Sequence, residues 1–435
     1  MRQKADPSSL PLIRKTAIAT IDQALLSALS FLVSILLIKL VPKAEYGYYS
    51  IAFAVWLFLA SLQDAVVNTP LAVLLVSKSE GERKEYAGSL CFGQFLLLAP
   101  AVLVGLLAAG FLRSLGWDSV QTSIGAALCL ASVGLLFREY LRSYWFAEQK
   151  PGKVLRMDLL YAVLFLVLTG LSWVLNRFGV ATVFLLMGAS AFLTALLFIR
   201  SRKWRYQPDS IRKGYRENWV FGRWALIGVC VTHVQKYSYL YFLGAMLGSI
   251  AVADVSAARL LLMPLILAQI GWSKVVIPHG SKLREEGRMD RFFKEQIVAC
   301  LVFLAAIALY VSLLLVFSAP IQKLLLSEKY SESFHYIPFW GLVFAAGFVC
   351  VNASYGLQVA KDFRIISVAS ALILPVTVGA SYLLIRERGI AGSLEALILG
   401  ESLLAFALWF HFAKAVLSEG RVRRMEGFGI ESGDS

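Results

Sequence analysis

Long apolar stretches alternate with short polar gaps along the whole chain. Each stretch has about 20 residues or more, and a helix of that length crosses the ~30 Å hydrocarbon core of a membrane. Because lipid offers the backbone no hydrogen bonds, each stretch must satisfy its own as a helix. The pattern predicts an all-α polytopic membrane protein with twelve transmembrane helices, at 16–41, 47–76, 87–112, 121–147, 157–176, 179–199, 219–246, 250–278, 295–318, 335–360, 363–385 and 392–417.

The basic residues fall mostly on one side of these segments. The two chain ends and the gaps after even-numbered segments hold 26 Lys and Arg residues, whereas the gaps after odd-numbered segments hold 7. Cytoplasmic loops carry such an excess, so both termini are predicted to be cytoplasmic. The net charge of +14 then reflects loops that face anionic lipid headgroups, and no nucleic-acid partner is expected.

The longest gap, 200–218, is strongly basic and divides the twelve segments into two sets of six. We therefore predict an N-terminal six-helix lobe over 1–200 and a C-terminal six-helix lobe over 219–417. A basic cytoplasmic linker over 201–218 joins them, in the form of an amphipathic helix on the membrane surface. Residues 418–435 form a cytoplasmic tail.

Two aspartates lie at matching depths in segments 1 and 2. Asp22 is about 21 residues before the turn between these segments and Asp64 about 20 residues after it. Both are therefore ~30 Å below the outer turn, toward the cytoplasmic side. An ionisable residue inside a membrane indicates function by default, so the pair is a candidate site for ion coupling. The alternative is a polar contact between neighbouring helices.

Two cations share one depth in segments 7 and 8. Lys236 lies 12 residues before the turn at Gly248 and Arg259 lies 11 residues after it. Both are then ~17 Å from the outer turn, near the midplane of the bilayer. They repel each other unless water, acids or an anionic ligand lies between them, so they predict an anion-binding cavity. The alternatives are pairing with acids such as Asp254 or Glu401, or a Lys236 side chain that extends outward to the membrane surface.

Segment 4 carries a second basic pair. Arg138 and Arg142 are one turn apart on the same helix face, and Glu139 can pair with Arg142. They are candidates for substrate binding at the mouth of the cavity, or alternatively for a cluster that neutralises itself.

The remaining intramembrane polar residues are interpreted individually. Glu401 is the acid of segment 12 and a further candidate for ion coupling. His233 shares a helix face with Lys236, and its expected role is that of a hydrogen-bonded interior residue. Asp158, Lys274 and Asp254 lie near segment ends, where we expect them at the membrane interface.

Motifs for covalent or hydrolytic chemistry are missing from the sequence. It contains no GxxxxGK[ST], HExxH, GxSxG or paired CxxC pattern, and its five cysteines lie inside apolar segments without metal-ligand spacing. We expect neither an enzyme nor a bound cofactor or metal. Transport driven by a gradient, with H⁺ or Na⁺ as the coupling ion, is the remaining prediction.

Short motifs in the first two segments carry a resemblance to a known family. These are Asp22-Gln23, the turn Glu45-Tyr46-Gly47-Tyr48, and Gln63 with Pro70. They resemble the start of polysaccharide (O-antigen or exopolysaccharide) flippases. This family belongs to the multidrug/oligosaccharidyl-lipid/polysaccharide exporter (MOP) superfamily, with the multidrug and toxic-compound extruders and the lipid II flippase. The segment count, the division into two sets of six and the short loops extend the resemblance over most of the chain.

The resemblance implies a fold and a substrate. Two six-helix bundles would surround a central cavity in the bacterial inner membrane, where an oligosaccharide on undecaprenyl diphosphate is moved outward. Lys236 and Arg259 would hold the diphosphate. The implied partners are the lipid-linked oligosaccharide, membrane lipids, and the polysaccharide polymerase and export machinery. The alternatives are a multidrug–cation antiporter of the same superfamily, or a polysaccharide polymerase or ligase, which the short outward gaps disfavour.

Overall fold

A computed structural model describes residues 10–200, 204 and 208–427, and within these ranges the regular structure is entirely helical. The helices are α1 Leu10–Leu40, α2 Lys43–Gln63, α3 Thr69–Leu74, α4 Glu80–Ser114, α5 Ser119–Ala147, α6 Pro151–Val174, α7 Val180–Ile199, α8 Pro208–Leu247, α9 Ser249–Leu261, α10 Met263–Glu285, α11 Met289–Val316, α12 Ser318–Leu325, α13 Ile337–Val359 and α14 Phe363–Gly427. A π-helical turn, Asp64–Asn68, joins α2 to α3, and a 3₁₀ helix, Glu328–Tyr336, precedes α13.

Each of the twelve predicted segments coincides with a helix or with adjoining helices. In the described ranges, nine helices are long and apolar enough to cross a membrane, or ten if α9 and α10, which meet at 51°, form one span. The difference from twelve has two causes. Two predicted segments lie in α14, which is broken at Gly389. Segment 7 lies in α8, where His233, Gln235 and Lys236 lower the mean hydropathy. The prediction of an all-α polytopic membrane protein is confirmed.

The chain packs into two compact units, whose boundary lies between Cys230 and Val231 inside α8. Unit 1 ends at Cys230 and unit 2 begins at Val231. Residues 208–218 of the predicted linker form the start of α8, while 201–203 and 205–207 lie outside the described residues. Residues 428–435 of the predicted tail also lie outside them.

The start of α8 packs against α4 in unit 1. Tyr215 donates a hydrogen bond to the carbonyl of Leu90 at 3.1 Å, and Lys78 pairs with Glu217 at 2.9 Å. This part of the predicted linker is therefore a helix that is fixed to unit 1 by specific contacts.

Helix α5 lies in the core of unit 1, where it packs against α2, α4, α6 and α7. A Cβ atom at Gly134 would overlap the carbonyl of Gly188, so the backbones of α5 and α7 touch directly. On the other side of α5, Tyr140 is fully buried and donates a hydrogen bond to the carbonyl of Ala87 in α4 at 2.6 Å. These contacts hold the polar face of α5 in a fixed position.

The turn between α1 and α2 is fixed by its acidic residue. The carboxylate of Glu45 accepts a hydrogen bond from the backbone N–H of Val180 at 2.7 Å. Val180 is the first residue of α7, so Glu45 caps a helix that is remote in sequence. The acid of the Glu45-Tyr46-Gly47-Tyr48 motif thus has a structural role at the N-terminus of α7.

In unit 2, α13 packs against α10, α11 and α14. The Phe412 ring of α14 occupies the space beside Gly356 of α13, where a Cβ atom would overlap it. Trp409 donates a hydrogen bond to the carbonyl of Val349 at 3.0 Å and so links the same two helices. The break between α9 and α10 lies just before Pro264. A proline cannot supply the N–H that would continue the helix.

Candidate functional site

Arg142 is the centre of an ionic network in unit 1. Its three guanidinium nitrogens contact three carboxylates: Asp22 of α1 at 3.0 Å, Glu139 of α5 at 2.8 Å and Asp158 of α6 at 2.8 Å. The interior of a membrane protein offers little solvation to a lone charge, so each of these groups depends on the others. The Glu139–Arg142 pair that helix spacing predicts is confirmed.

Arg138 extends this network by one turn of α5. It contacts Asp158 at 2.7 Å and Glu139 at 3.2 Å, and its guanidinium carbon lies 4.0 Å from the centre of the Tyr161 ring. Both arginines therefore use their donors on acids of the same unit. We predicted them as substrate ligands, but in this arrangement a substrate phosphate would have to displace those carboxylates.

Asp158 is the main member of this network that the sequence does not single out for a functional role. Its side chain is 0% exposed and pairs with both arginines. Its position near the end of a segment, from which we predict a location at the membrane interface, gives no indication of these contacts. Two arginines on one face of a membrane helix require counterions, and this requirement was the signal that could have identified it.

Asp64 lies in the π-helical turn of α2 and approaches the same network. Asn68 donates a hydrogen bond to its carboxylate at 2.6 Å, and Gln63 donates to the carbonyl of Leu136 in α5 at 2.9 Å. Asp64 also interacts electrostatically with Arg142 and Glu139. Arg142 therefore interacts with both aspartates that depth reasoning placed at one level.

This network holds more carboxylates than guanidinium groups. Asp22, Glu139 and Asp158 contact two arginines, and Asp64 is a fourth acid within electrostatic reach. A surplus of acids favours the uptake of a proton or a small cation. Among the side chains that the structure describes, in 14–200, 204 and 208–418, no cluster of three His, Cys, Asp or Glu residues is arranged to hold a metal ion.

The cations of unit 2 have different surroundings. Arg259 interacts electrostatically with the phenol groups of Tyr237 and Tyr239. Its guanidinium carbon lies 5.7 Å from the centre of the Tyr237 ring and 5.5 Å from that of Trp340. Aromatic rings and phenols hold the arginine in place but leave its positive charge uncompensated.

Lys236 is exposed on α8 and interacts electrostatically with Glu401 of α14. Glu401 also interacts with the thiol of Cys350. In the part of the chain that the structure describes, neither Lys236 nor Arg259 forms a salt bridge within 4.0 Å. The predicted interaction of Lys236 with Glu401 is present, but it does not reach the distance of an ion pair.

His233 and Asp254 are interior residues of unit 2. His233 stacks on Tyr237 with ring centres 4.7 Å apart and is hydrogen-bonded to the Tyr241 hydroxyl at 2.9 Å, as expected for an interior histidine. Asp254 is buried and accepts a hydrogen bond from Ser333 at 2.8 Å. The 3₁₀ helix before α13 packs on α9 and covers Asp254, and the location of this residue at the membrane interface stays a prediction.

Comparison with solved structures identifies the class of fold. An inward-facing structure of a multidrug resistance MATE family transporter of the MOP superfamily superposes with a TM-score of 0.73 over 90% of this chain and 95% of its own. The lipid II flippase MurJ, in an inward closed conformation, superposes with a TM-score of 0.70 over 98% of this chain and 93% of the flippase chain. A MOP superfamily transporter from Pyrococcus furiosus superposes with a TM-score of 0.65 over 94% of this chain and 96% of the transporter chain.

Sequence identity to these three structures is 13%, 13% and 14%, so they define the fold. No family model and no curated protein matches the sequence. The chain thus has the fold of MOP-superfamily transporters, a group that includes MATE transporters and the lipid II flippase MurJ.

Proposed function

We propose that this protein is a flippase that moves an oligosaccharide on undecaprenyl diphosphate across the bacterial inner membrane, for the synthesis of a surface polysaccharide or exopolysaccharide. The chain shares its fold with the lipid II flippase MurJ, and this similarity supports a role in the translocation of a lipid-linked substrate. Both termini would be cytoplasmic, in agreement with the distribution of Lys and Arg. A polysaccharide polymerase and export machinery would act on the product.

The observation that carries this proposal is the pair of cations in unit 2. Lys236 and Arg259 have no salt-bridge partner in the described residues, unlike Arg138 and Arg142. Transfer of a diphosphate through a medium of low dielectric is prohibitive without compensating charge. Lys236 and Arg259 would supply that charge, while the polyprenyl tail stays in lipid.

The acidic network of unit 1 would drive the cycle by alternating access. Asp22 or Asp64 would bind H⁺ or Na⁺, and the change in charge around Arg142 would favour one conformation over the other. Glu401, which is close to Lys236, would compete with the diphosphate and so favour its release. The same fold is known in inward-facing and outward-facing conformations of a MATE transporter, which supports a mechanism of this kind.

The test is complementation of a flippase deletion strain. We expect Lys236→Ala and Arg259→Ala each to lower the amount of surface polysaccharide about tenfold, the effect of losing one charge-assisted contact. Lys414→Ala removes an exposed lysine from α14 and is the matched control. Full complementation by both unit 2 variants at normal protein levels would contradict the proposed anion site.

A multidrug–cation antiporter is the second candidate, and the surplus of acids around Arg142 favours it. Its cargo would be an organic cation, for which Lys236 and Arg259 are unsuitable neighbours. A drug-sensitive strain that produces the protein distinguishes the two functions. Protection against lipophilic cations that disappears in Glu139→Gln would establish the antiporter.

A further inference from the structure

In the π-helical turn between α2 and α3, two backbone amides that could bond to the carbonyl of Val66 are unavailable. Pro70 has no N–H, and in an α-helix that N–H would bond to the carbonyl of Val66 four residues earlier. The N–H of Thr69 is also unavailable, because it bonds to the carbonyl of Asp64. Such openings in membrane helices require a donor from a neighbouring helix.

Asn218 of α8 supplies that donor. Its side chain is 0% exposed, and its amide nitrogen donates to the carbonyls of Val66 at 3.1 Å and Val67 at 3.4 Å. Its amide oxygen accepts a hydrogen bond from the Tyr86 hydroxyl of α4, which fixes the orientation of the amide.

Gly222 allows the close approach that this contact requires. It lies one turn after Asn218 on the same face of α8, and a Cβ atom at this position would overlap the carbonyl of Ala65. Asn218 and Gly222 thus form a docking point for the segment that Pro70 opens.

Asp64 belongs to the same turn. Its carboxylate accepts a hydrogen bond from the side-chain amide of Asn68, four residues later, at 2.6 Å. The charged groups around Asp64 are Glu139 and Arg142 of α5, and through Arg142 also Asp22 of α1 and Asp158 of α6. Loss of charge at Asp64 weakens a charge-assisted hydrogen bond inside the turn and therefore alters the balance between π-helical and α-helical geometry.

From this arrangement we infer that Asn218 is a positioning residue, which transmits the charge state of Asp64 to α8. The inference rests on the proposed role of Asp64 in ion coupling. Helix α8 continues without interruption through Cys230, where unit 1 ends, to Leu247 in unit 2. A shift of the turn that Asn218 holds would move this shared helix.

The native thiol of Cys230 can report the position of α8 without any substrate. The other cysteines are replaced by Ala at 91, 129, 300 and 350, and the full-length protein is reconstituted in nanodiscs. The measurement is the rate at which Cys230 reacts with N-ethylmaleimide. We expect Asp64→Asn, which imitates the neutral acid, to change this rate about fivefold, the shift in population that one net hydrogen bond can produce.

Asn218→Asp removes the donor but keeps an acceptor for Tyr86. We expect it to abolish the response, so that the rates of N218D and D64N/N218D are equal. Pro70→Ala restores an N–H for Val66, so P70A/N218D should regain stability but not the response. The double variant P70A/N218D therefore separates a positioning role of Asn218 from a purely structural one. It also provides a folded protein if N218D alone is unstable.

Asn352→Asp is the matched control. Asn352 is equally buried in unit 2, where it donates to the carbonyl of Phe348 and accepts from Trp272. It should leave the fivefold response unchanged. An equal rate for wild type and D64N, or a response that persists in P70A/N218D, would overturn the inference. Failure of polysaccharide complementation would reject the flippase proposal but leave this measurement intact.

Discussion

The two units treat charge inside the membrane in different ways. In unit 1 the guanidinium nitrogens of Arg142 each meet a carboxylate from a different residue. In unit 2 Arg259 is held by phenols and aromatic faces, without a salt bridge in the described ranges. Removal of one partner from a buried ion pair is strongly destabilising, because it leaves the other charge uncompensated. A cation without a carboxylate partner remains available to an anion from outside. We therefore expect charge removal in unit 1 to affect stability, and charge removal in unit 2 to affect binding.

The largest effect on stability should come from Arg142→Ala. It removes the arginine contact of Asp22 and leaves Glu139 and Asp158 with Arg138 alone. The loss of one member from a buried ionic network costs about 3–5 kcal/mol. Arg259→Ala should cost about 1–2 kcal/mol, because it removes contacts with aromatic rings and leaves no carboxylate without its partner. Reversible unfolding in mixed micelles gives both free energies. Equal losses would show that the two arginines have equivalent environments.

The next effect concerns packing. Gly134→Ala places a methyl group against the backbone carbonyl of Gly188, which cannot move unless α7 shifts. Gly356→Ala meets the Phe412 ring, a side chain that can rotate. Overpacking costs about 1–3 kcal/mol, and we expect G134A at the upper end and G356A at the lower. The same unfolding assay measures both, and a larger loss for G356A would contradict the assignment of the rigid contact to unit 1.

The sequence was sufficient to predict the helices but not their interruptions. Hydropathy predicts the twelve segments because burial in lipid requires length and apolarity, which are additive along the chain. The π-helical turn at Asp64–Asn68 depends not only on Pro70 but also on the Asn218 amide, which is remote in sequence.

The predicted depths of the polar residues identify the candidate site only in part. Counting residues from a turn gives the height of a side chain along its helix but not the direction in which it points, which rotates by about 100° per residue. Asp22 and Asp64, which are predicted at one height, both interact with Arg142. Lys236 and Arg259 are also predicted at one height, yet Lys236 interacts with Glu401 while Arg259 interacts with Tyr237 and Tyr239.

Glu401→Gln should tighten anion binding in unit 2. The carboxylate competes with any anion for Lys236, so its neutralisation should lower the dissociation constant for a soluble polyprenyl diphosphate analogue about fivefold, the effect of about one kcal/mol of Coulomb energy. Glu139→Gln in unit 1 is the control and should leave this constant unchanged. Titration calorimetry in detergent provides the measurement. Tighter binding in E139Q but not in E401Q would transfer the anion site from unit 2 to unit 1.

The smallest effect should follow Glu45→Gln. The amide keeps an oxygen that can accept from the Val180 N–H, but it loses the negative charge at the N-terminus of α7. Charge at a helix N-terminus contributes about 0.3–1 kcal/mol, and complete loss of the cap in Glu45→Ala should cost about 1–2 kcal/mol. Hydrogen exchange at the first turn of α7 detects both changes, because the amide of Val180 becomes exposed when the cap opens. A cap that acts through its hydrogen bond alone would make E45Q indistinguishable from wild type, whereas the electrostatic contribution requires protection to decrease from wild type to E45Q to E45A.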